Sequence, residues 1–231
     1  MALGVALLLV GASAYAAGTR GGAVAAAAAP PVEVTLYAEA LCPYCAAFVT
    51  DTLGPLVGEP WFDAVVKFRY VAWGNAVNTS RGVMCQHGPA ECRLNRVLNC
   101  AEALLPTQAA FLRFALCLEG APAKRMEEAV DECATKEGMP AAARLHTCAG
   151  GVSGDMLERA AAAETAALQP PHEYVPWVTV QGIALGAPES TADLLRYVCV
   201  AFAGERPEAC YAPPPGAALA LPGGAAGRVT A

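Results

Sequence analysis

Two cysteines separated by two residues, in the segment Cys42-Pro43-Tyr44-Cys45, have the types and spacing required for thiol–disulfide exchange. At the start of a helix, residues i and i+3 lie about 5–6 Å apart, close to the Cα separation that a disulfide requires. A cysteine at the first of these positions also meets free backbone N–H groups and the helix dipole, which stabilise a thiolate. We therefore expect Cys42 to be the nucleophile, and Cys45, one turn further and more buried, to be the resolving thiol.

The residues around this pair predict the elements that position it. Residues 32–37 alternate apolar side chains and are rich in β-branched types, which predicts a strand, and residues 46–56 predict a helix. A strand, a C-x-x-C motif and a helix in this order are typical of a thioredoxin-type redox site. Pro43 suits the first helical turn, because its missing N–H has no intrahelical partner there.

Two other interpretations of the C-x-x-C motif are a purely structural disulfide and half of a zinc site. A zinc ribbon requires a second C-x-x-C or a histidine pair at ligand spacing, whereas His87, His146 and His172 are scattered along the chain. We favour a redox-active dithiol and expect neither a metal nor another cofactor.

Two later segments predict further strands of the same sheet. These are residues 65–73 and, much further along, residues 176–183, which open with a proline. In a thioredoxin-like arrangement the Val175-Pro176 bond is expected to be cis and to present backbone groups to an extended substrate segment. The alternative is a trans proline that begins an edge strand. Substrate contacts are accordingly assigned to Pro43, Tyr44, Val175 and Pro176.

The 130 residues between Cys45 and Pro176 exceed what one strand and one helix require, which predicts an insertion at about residues 82–168. Helical periodicity appears at 107–118, 122–136 and 153–168, the last with Ser153 as the expected N-cap. We interpret the apolar faces of these helices as core packing. A final helix is predicted at 191–202, where Ser190 and Asp193 form a capping box.

Eight cysteines lie outside the C-x-x-C motif and are expected to be structural. Ten cysteines in 231 residues indicate an oxidising compartment, where disulfides stabilise a secreted helical insertion. Eight cysteines allow 105 pairings, and we single out only Cys199 with Cys210 as a plausible local clamp on the last helix. The eight are Cys85, Cys92, Cys100, Cys117, Cys133, Cys148, Cys199 and Cys210.

Both ends of the chain are predicted to lie outside the folded body, which spans 32–211. Residues 1–17 resemble a signal peptide, although their start lacks Lys or Arg and a membrane anchor is the alternative. Residues 18–31 are interpreted as a Gly/Ala/Pro linker and 212–231 as a disordered tail, so no stable membrane insertion is expected. Asn78-Thr79-Ser80 is a glycosylation sequon, which fits a secretory route.

The composition excludes one broad class of function. Only 16% of the residues are charged and the net charge is −6, so the chain lacks the basic surplus that nucleic-acid binding requires. The apolar content of 55% predicts a packed core.

The segment from Cys85 to Cys100 carries a more specific signal. It matches the pattern C-Q-H-G-x-x-E-C-x-x-N-x-x-x-x-C and is similar to the signature of the gamma-interferon-inducible lysosomal thiol reductase family. Trp73-Gly74-Asn75-Ala76 and the segment 174–178 also resemble that family, and the resemblance covers about residues 32–211. It implies an α/β (α+β) thioredoxin-like fold with a disulfide-rich helical insertion. It also implies reduction of protein disulfides in an acidic endosomal or lysosomal compartment, with Cys42 and Cys45 as the active pair.

The polar signature residues Gln86, His87, Glu91 and Asn95 have no obvious chemistry of their own. We expect a hydrogen-bonded structural knot around two disulfides, with tuning of the thiolate or substrate contact by His87 as the alternative. Acidic operation needs a lowered thiol pKa, because an ordinary thiol is only about 0.03% ionised at pH ~5. A pKa of about 5–6 would raise that fraction to roughly 10–50%. No basic residue adjoins Cys42, and Glu39 would oppose ionisation.

We therefore predict a protein-disulfide reductase of the secretory pathway, located in the lysosome or vacuole or outside the cell. Its partners would be disulfide-containing proteins, and the sequence does not identify the reductant, whether a small thiol or a protein. A secretory-pathway thiol oxidase or isomerase is the first alternative, since direction depends on reduction potential. A non-catalytic saposin-like binding module is the second, and it leaves the C-x-x-C motif unexplained.

Overall fold

The computed structural model describes residues 29–137, 142–186, 188 and 190–211. The predicted signal peptide at 1–17, residues 18–28 of the predicted linker and the predicted tail at 212–231 lie outside the described residues. Within the described part of the chain, no helix is both long and apolar enough to cross a bilayer.

A four-stranded mixed sheet forms the centre of the fold. Its strands are β1 (Val32–Ala38), β2 (Val66–Ala72), β5 (Trp177–Val180) and β6 (Ile183–Gly186), in the order β2-β1-β5-β6. β1 pairs in parallel with β2 and antiparallel with β5, so the strand that leads to the cysteine pair is central and largely buried. A separate hairpin of β3 (Val77–Thr79) and β4 (Gly82–Met84) follows β2.

The predicted helix after the cysteine pair is present, but it is not uniform. It begins at Pro43 as the short helix α1 (Pro43–Ala47), continues through a π-helical turn, Phe48–Leu53, and ends in a 3₁₀ turn, Gly54–Leu56. Helix α2 (Pro60–Val65) then leads into β2.

Five helices lie between β4 and β5, within the range predicted for the insertion. They are α3 (Pro89–Leu104), α4 (Gln108–Glu119), α5 (Met126–Lys136), α6 (Ala142–Gly150) and α7 (Val152–Ala166). The sequence predicts α4, α5 and α7 but not α3, α6 or the β3–β4 hairpin. The expected Ser153 cap is wrong, because the chain turns through Gly151 directly after α6 and α7 begins before the serine.

The last helix, α8 (Thr191–Ala201), packs behind β1 and β5. The Ser190 side chain accepts a hydrogen bond from the Asp193 backbone N–H at 3.2 Å, which confirms the predicted cap.

Four disulfides pair the eight cysteines outside the C-x-x-C motif. One joins the segment before α3 to the start of α3, one joins α3 to α6, one joins α4 to α5, and the last joins α8 to the 3₁₀ turn Glu208–Cys210. The predicted Cys199–Cys210 clamp is therefore confirmed. In this order, the pairs are Cys85–Cys92, Cys100–Cys148, Cys117–Cys133 and Cys199–Cys210.

Candidate active site

The cysteine pair lies where β1 gives way to α1. Leu41, directly before the pair, has a positive φ of 66°, a conformation that side chains other than glycine rarely adopt and that is often found at functional sites. Cys42 then occupies the N-cap of α1 with Pro43 in the first turn, as the sequence predicts. The Cys42 sulfur accepts a hydrogen bond from the Cys45 backbone N–H at 3.4 Å.

The surroundings of the two sulfurs separate their pKa values. A hydrogen bond from the Cys45 thiol is the main cause that lowers the pKa of Cys42 to about 6, and the backbone N–H groups of Cys45 and Tyr44 add to it against the opposing effect of burial. The same thiol hydrogen bond and burial raise the pKa of Cys45 strongly. The pair can therefore consist of a Cys42 thiolate and a protonated Cys45.

Exposure also differs along the motif. Cys45 is fully buried and Cys42 is 4% exposed, whereas Tyr44 is 75% exposed. Of the two cysteines, Cys42 is therefore the one nearer to solvent.

An apolar groove of about 540 Å³ runs beside the motif. Tyr44, Phe48 and Asp51 line one side, and Val175 and Pro176 line the other. The Val175-Pro176 bond is cis, as predicted. The structure thus brings Tyr44, Val175 and Pro176 to one surface, whereas Pro43 does not line the groove.

The polar signature residues hold the turn that precedes Cys42. Asn95 on α3 accepts a hydrogen bond from the Ala40 backbone N–H at 2.8 Å. The Asn75 backbone N–H donates to Glu39 Oε2 at 2.7 Å, and the Asn75 side chain donates to Gln86 Oε1 at 2.7 Å. The network is anchored to the active-site turn. One disulfide, Cys85–Cys92, lies within it rather than the two expected.

Two carboxyl groups and a histidine meet at the centre of this network. His87 Nδ1 lies 2.8 Å from Glu91 Oε2 and 3.6 Å from Glu39 Oε1, and each residue offers one ligand atom within 4.8 Å of the others. Burial raises the pKa of Glu39 to about 7, and the charge of Glu91 adds to that shift. His87 makes a smaller contribution that lowers the pKa of Cys42, which agrees with the tuning role given above as the alternative.

Sequence reasoning missed a third buried acid, Glu119 at the end of α4. The Tyr70 hydroxyl donates to Glu119 Oε1 at 3.0 Å, while Oε2 has no hydrogen-bond partner among the described residues. Burial raises the pKa of Glu119 to about 8, and its charge in turn raises the pKa of Cys45. The sequence feature that could have indicated this buried acid is the position of Glu119 directly after a strongly apolar helical segment.

Known protein families and relatives show what this chain is similar to. Residues 33–137 match the family model described as gamma interferon inducible lysosomal thiol reductase. A mouse protein named gamma-interferon-inducible lysosomal thiol reductase is 38% identical over 192 residues, which cover 78% of this chain and 72% of the relative. An Arabidopsis thaliana protein named gamma-interferon-responsive lysosomal thiol protein is 33% identical over 183 residues, covering 78% and 75% respectively.

Solved structures with the same architecture are thioredoxin-like oxidoreductases. The reduced form of DsbG from Mycobacterium tuberculosis has a TM-score of 0.55 at 22% identity, with 79% of this chain and 84% of that chain covered. Reduced DsbA from the same organism has a TM-score of 0.52 at 21% identity, with 79% and 89% covered. These similarities confirm the predicted thioredoxin-like fold with its disulfide-rich helical insertion.

Proposed function

Because the chain belongs to the gamma-interferon-inducible lysosomal thiol reductase family, we propose that it reduces protein disulfides through Cys42 and Cys45 and that it does so in an acidic compartment. Membership makes the chain a thiol–disulfide oxidoreductase and favours an enzyme over a non-catalytic binding module. The observation that carries the assignment to this pair is the Cys42 sulfur at the helix N-cap, with the Cys45 thiol hydrogen-bonded to it.

In the first step the Cys42 thiolate attacks one sulfur of a substrate disulfide. A bond forms between Cys42 and that sulfur, the substrate S–S bond breaks, and the other substrate sulfur leaves as a thiolate and takes up a proton. The low pKa of Cys42 supports this step in acid. With a value of about 6, about a tenth of Cys42 is ionised at pH ~5, against about 0.03% of an ordinary thiol.

In the second step Cys45 loses its proton and attacks the Cys42 sulfur. The substrate is released as a second thiol, and the enzyme is left with a Cys42–Cys45 disulfide, which a dithiol or two molecules of a small thiol must reduce. Because Cys45 is fully buried, the group placed to take its proton is the substrate sulfur that leaves Cys42, which completes the second substrate thiol. Glu119 raises the pKa of Cys45, but with its own pKa raised to about 8 it is protonated in acid and is not the acceptor.

The groove beside the motif supports a substrate that binds as an extended segment. Its lining is mostly apolar and includes the exposed Tyr44 ring together with the backbone at Val175 and Pro176. An unfolded segment next to a disulfide offers the backbone groups and apolar side chains that such a surface accepts. Protein disulfides in partly unfolded chains are therefore the proposed substrates.

The proposed location is the lysosome or another compartment of the secretory route. The relatives named as lysosomal thiol proteins support it, as does the exposed position of Asn78 on β3, where a glycan could be attached. Mass spectrometry of the protein from its own cells would show whether Asn78 is glycosylated and where the chain begins.

Insulin reduction from pH 4 to 8 tests the proposal with Cys42→Ser and Cys45→Ser. Both variants should lose turnover, and Cys45→Ser should accumulate a mixed disulfide between Cys42 and insulin. Turnover that survives in Cys42→Ser would refute the assignment. The reduction potential of the pair, measured in the same preparation, distinguishes a reductase from an oxidase or isomerase.

A further inference from the structure

The Glu39, His87 and Glu91 side chains converge with the spacing of a metal-ligand set. The His87 Nδ1 atom is 2.8 Å from Glu91 Oε2 and 3.6 Å from Glu39 Oε1. When Zn²⁺ is bound at about 2.0–2.2 Å, neighbouring ligand atoms lie about 3–3.6 Å apart. All three ligand atoms lie within 4.8 Å of one another, so one ion can reach the three side chains after small side-chain movements.

Burial and charge make this cluster unusual for a purely structural network. Glu39 is 1% exposed and Glu91 is fully buried, so two carboxyl groups lie side by side away from water. Glu91 Oε1 has no hydrogen-bond partner within the described part of the chain, although buried polar atoms are normally satisfied. A cation would neutralise both carboxylates and occupy that oxygen. The His87 side chain is 30% exposed, which leaves a path for an ion and for water ligands.

The cluster is also held in place by groups outside it. The Asn75 backbone N–H fixes Glu39 Oε2, so that Oε1 faces His87. The His87 backbone N–H fixes Glu91 at 2.5 Å. Gly74 has a φ of 60°, and a β-carbon there would overlap the Glu39 carboxylate, so the backbone approaches that group as closely as it can. Such supporting contacts orient ligands in metal sites.

We propose that Glu39, His87 and Glu91 form a binding site for a divalent transition-metal cation of the Zn²⁺ class, next to the cysteine pair. A mixed imidazole and carboxylate set suits Zn²⁺ better than Ca²⁺ or Mg²⁺, which prefer oxygen ligands alone. The sequence predicts no metal site, because the C-x-x-C motif has no second ligand pair, whereas these ligands come from two distant segments, at Glu39 and at residues 87–91, that the fold brings together.

The site is coupled to the thiol, and this part rests on the proposed function. Glu39 and His87 both interact electrostatically with Cys42, so a bound cation would act on the same thiolate.

Titration calorimetry with Zn²⁺ at pH 7.5 tests the site in the full chain carrying Cys42→Ser and Cys45→Ser, which removes both thiols as ligands. One equivalent should bind. His87→Gln in this background should weaken binding at least tenfold at pH 7.5, and because the residue is partly exposed this variant should fold. Glu91→Gln gives a second measurement, with circular dichroism and melting used to verify folding.

His146→Gln is the matched control, since His146 is an exposed histidine that lies 2.6 Å from a carboxylate, that of Asp131. It should leave the affinity unchanged. No binding by the thiol-free protein, equal affinity in His87→Gln, or an equal loss in His146→Gln would each overturn the inference. The proposed function is tested separately: a protein that reduces insulin but binds no zinc refutes the metal site alone, and an inactive protein that binds zinc refutes the reductase alone.

Discussion

Replacing Glu119 with glutamine measures whether the buried carboxyl group behind the cysteine pair is protonated in the folded protein. The side chain is 4% exposed, and burial raises its pKa from 4.5 to about 8. Glutamine keeps the shape and an oxygen that can accept the Tyr70 hydrogen bond, but it cannot ionise. The substitution therefore removes the titration with little change in packing.

The direction of the effect follows from proton binding. Because the pKa is raised in the folded state, the folded protein holds a proton that the unfolded chain has released between about pH 4.5 and 8. This contribution to stability is fully present below pH 4.5 and is lost as the pH rises through 8. Each pH unit in this window changes the free energy of unfolding by up to ~1.4 kcal/mol, which gives about 3–4 kcal/mol between pH 5 and 8. Glu39 acts in the same direction but is present in both proteins, so it cancels.

Urea unfolding at pH 5 and pH 8, with the four disulfides intact, measures this difference. The parent should carry Cys42→Ser and Cys45→Ser, because the lowered pKa of Cys42 gives a dependence of the opposite sign in the same range. Burial is the main cause of the Glu119 shift and survives without the thiolate. From pH 5 to 8, Glu119→Gln should lose about 3 kcal/mol less stability than its parent, and at pH 8 it should be the more stable protein.

A matched control is Glu128→Gln, which changes an exposed carboxylate on α5. It should leave the pH dependence unchanged. Parallel curves for Glu119→Gln and its parent, or a larger destabilisation by glutamine at pH 8 than at pH 5, would show that Glu119 is ionised in the folded protein. The neutral state of Glu119 in acid would then be refuted.

Three further outcomes are expected. The rate at which iodoacetamide alkylates reduced Cys42 should increase with pH, with a midpoint near pH 6. Cys45→Ala should move that midpoint to higher pH, because the hydrogen bond from the Cys45 thiol is lost. An unchanged midpoint would mean that the backbone donors alone lower the pKa of Cys42. The double variant Cys100→Ala/Cys148→Ala removes a disulfide that spans a sequence separation of 48. Urea unfolding should show a free energy of unfolding lower by about 4 kcal/mol, because the unfolded chain regains the entropy of that loop. A decrease below about 1 kcal/mol would contradict the loop-entropy argument. Gly74→Ala should destabilise the folded protein by more than about 1–2 kcal/mol, because the alanine would have a positive φ and its β-carbon would overlap the buried Glu39 carboxylate. A melting temperature equal to that of the wild type would contradict this prediction.

The elements that the sequence predicts well are those whose signals are local. The β1 strand alternates over adjacent residues, the C-x-x-C motif follows it directly, and Pro43 and Ser190 mark helix starts within a few residues. The cis bond at Val175 was predictable because proline makes that geometry accessible. In each case the determining interactions lie within one turn of helix or one short stretch of strand.

Helix α3 escaped prediction because its buried face is partly polar. Glu91, Asn95 and Asn99 recur every four residues along it and are all buried. Asn95 accepts from the Ala40 backbone, and Asn99 both donates to and accepts from Ala72 at 2.9 and 3.2 Å. Asn95 therefore satisfies a backbone group just beyond β1, and Asn99 satisfies those of the last residue of β2. A search for apolar periodicity cannot recognise such a stripe, because its partners are known only once the fold is known.

The position of Glu39 beside the cysteine pair raises an apparent difficulty for an enzyme that must ionise Cys42. A negative charge there would raise the pKa of the thiol, as the mutual interaction of Glu39 and Cys42 shows. The difficulty depends on pH, because burial raises the pKa of Glu39 to about 7 and that of Glu119 to about 8. At pH ~5 both carboxyl groups are therefore neutral, while a thiol of pKa about 6 is already partly ionised. At pH 8 the same two groups carry charge in a buried site, where they oppose the thiolate and destabilise the fold. Burying acids around the pair is thus compatible with thiolate chemistry in an acidic compartment, which agrees with the proposed place of action.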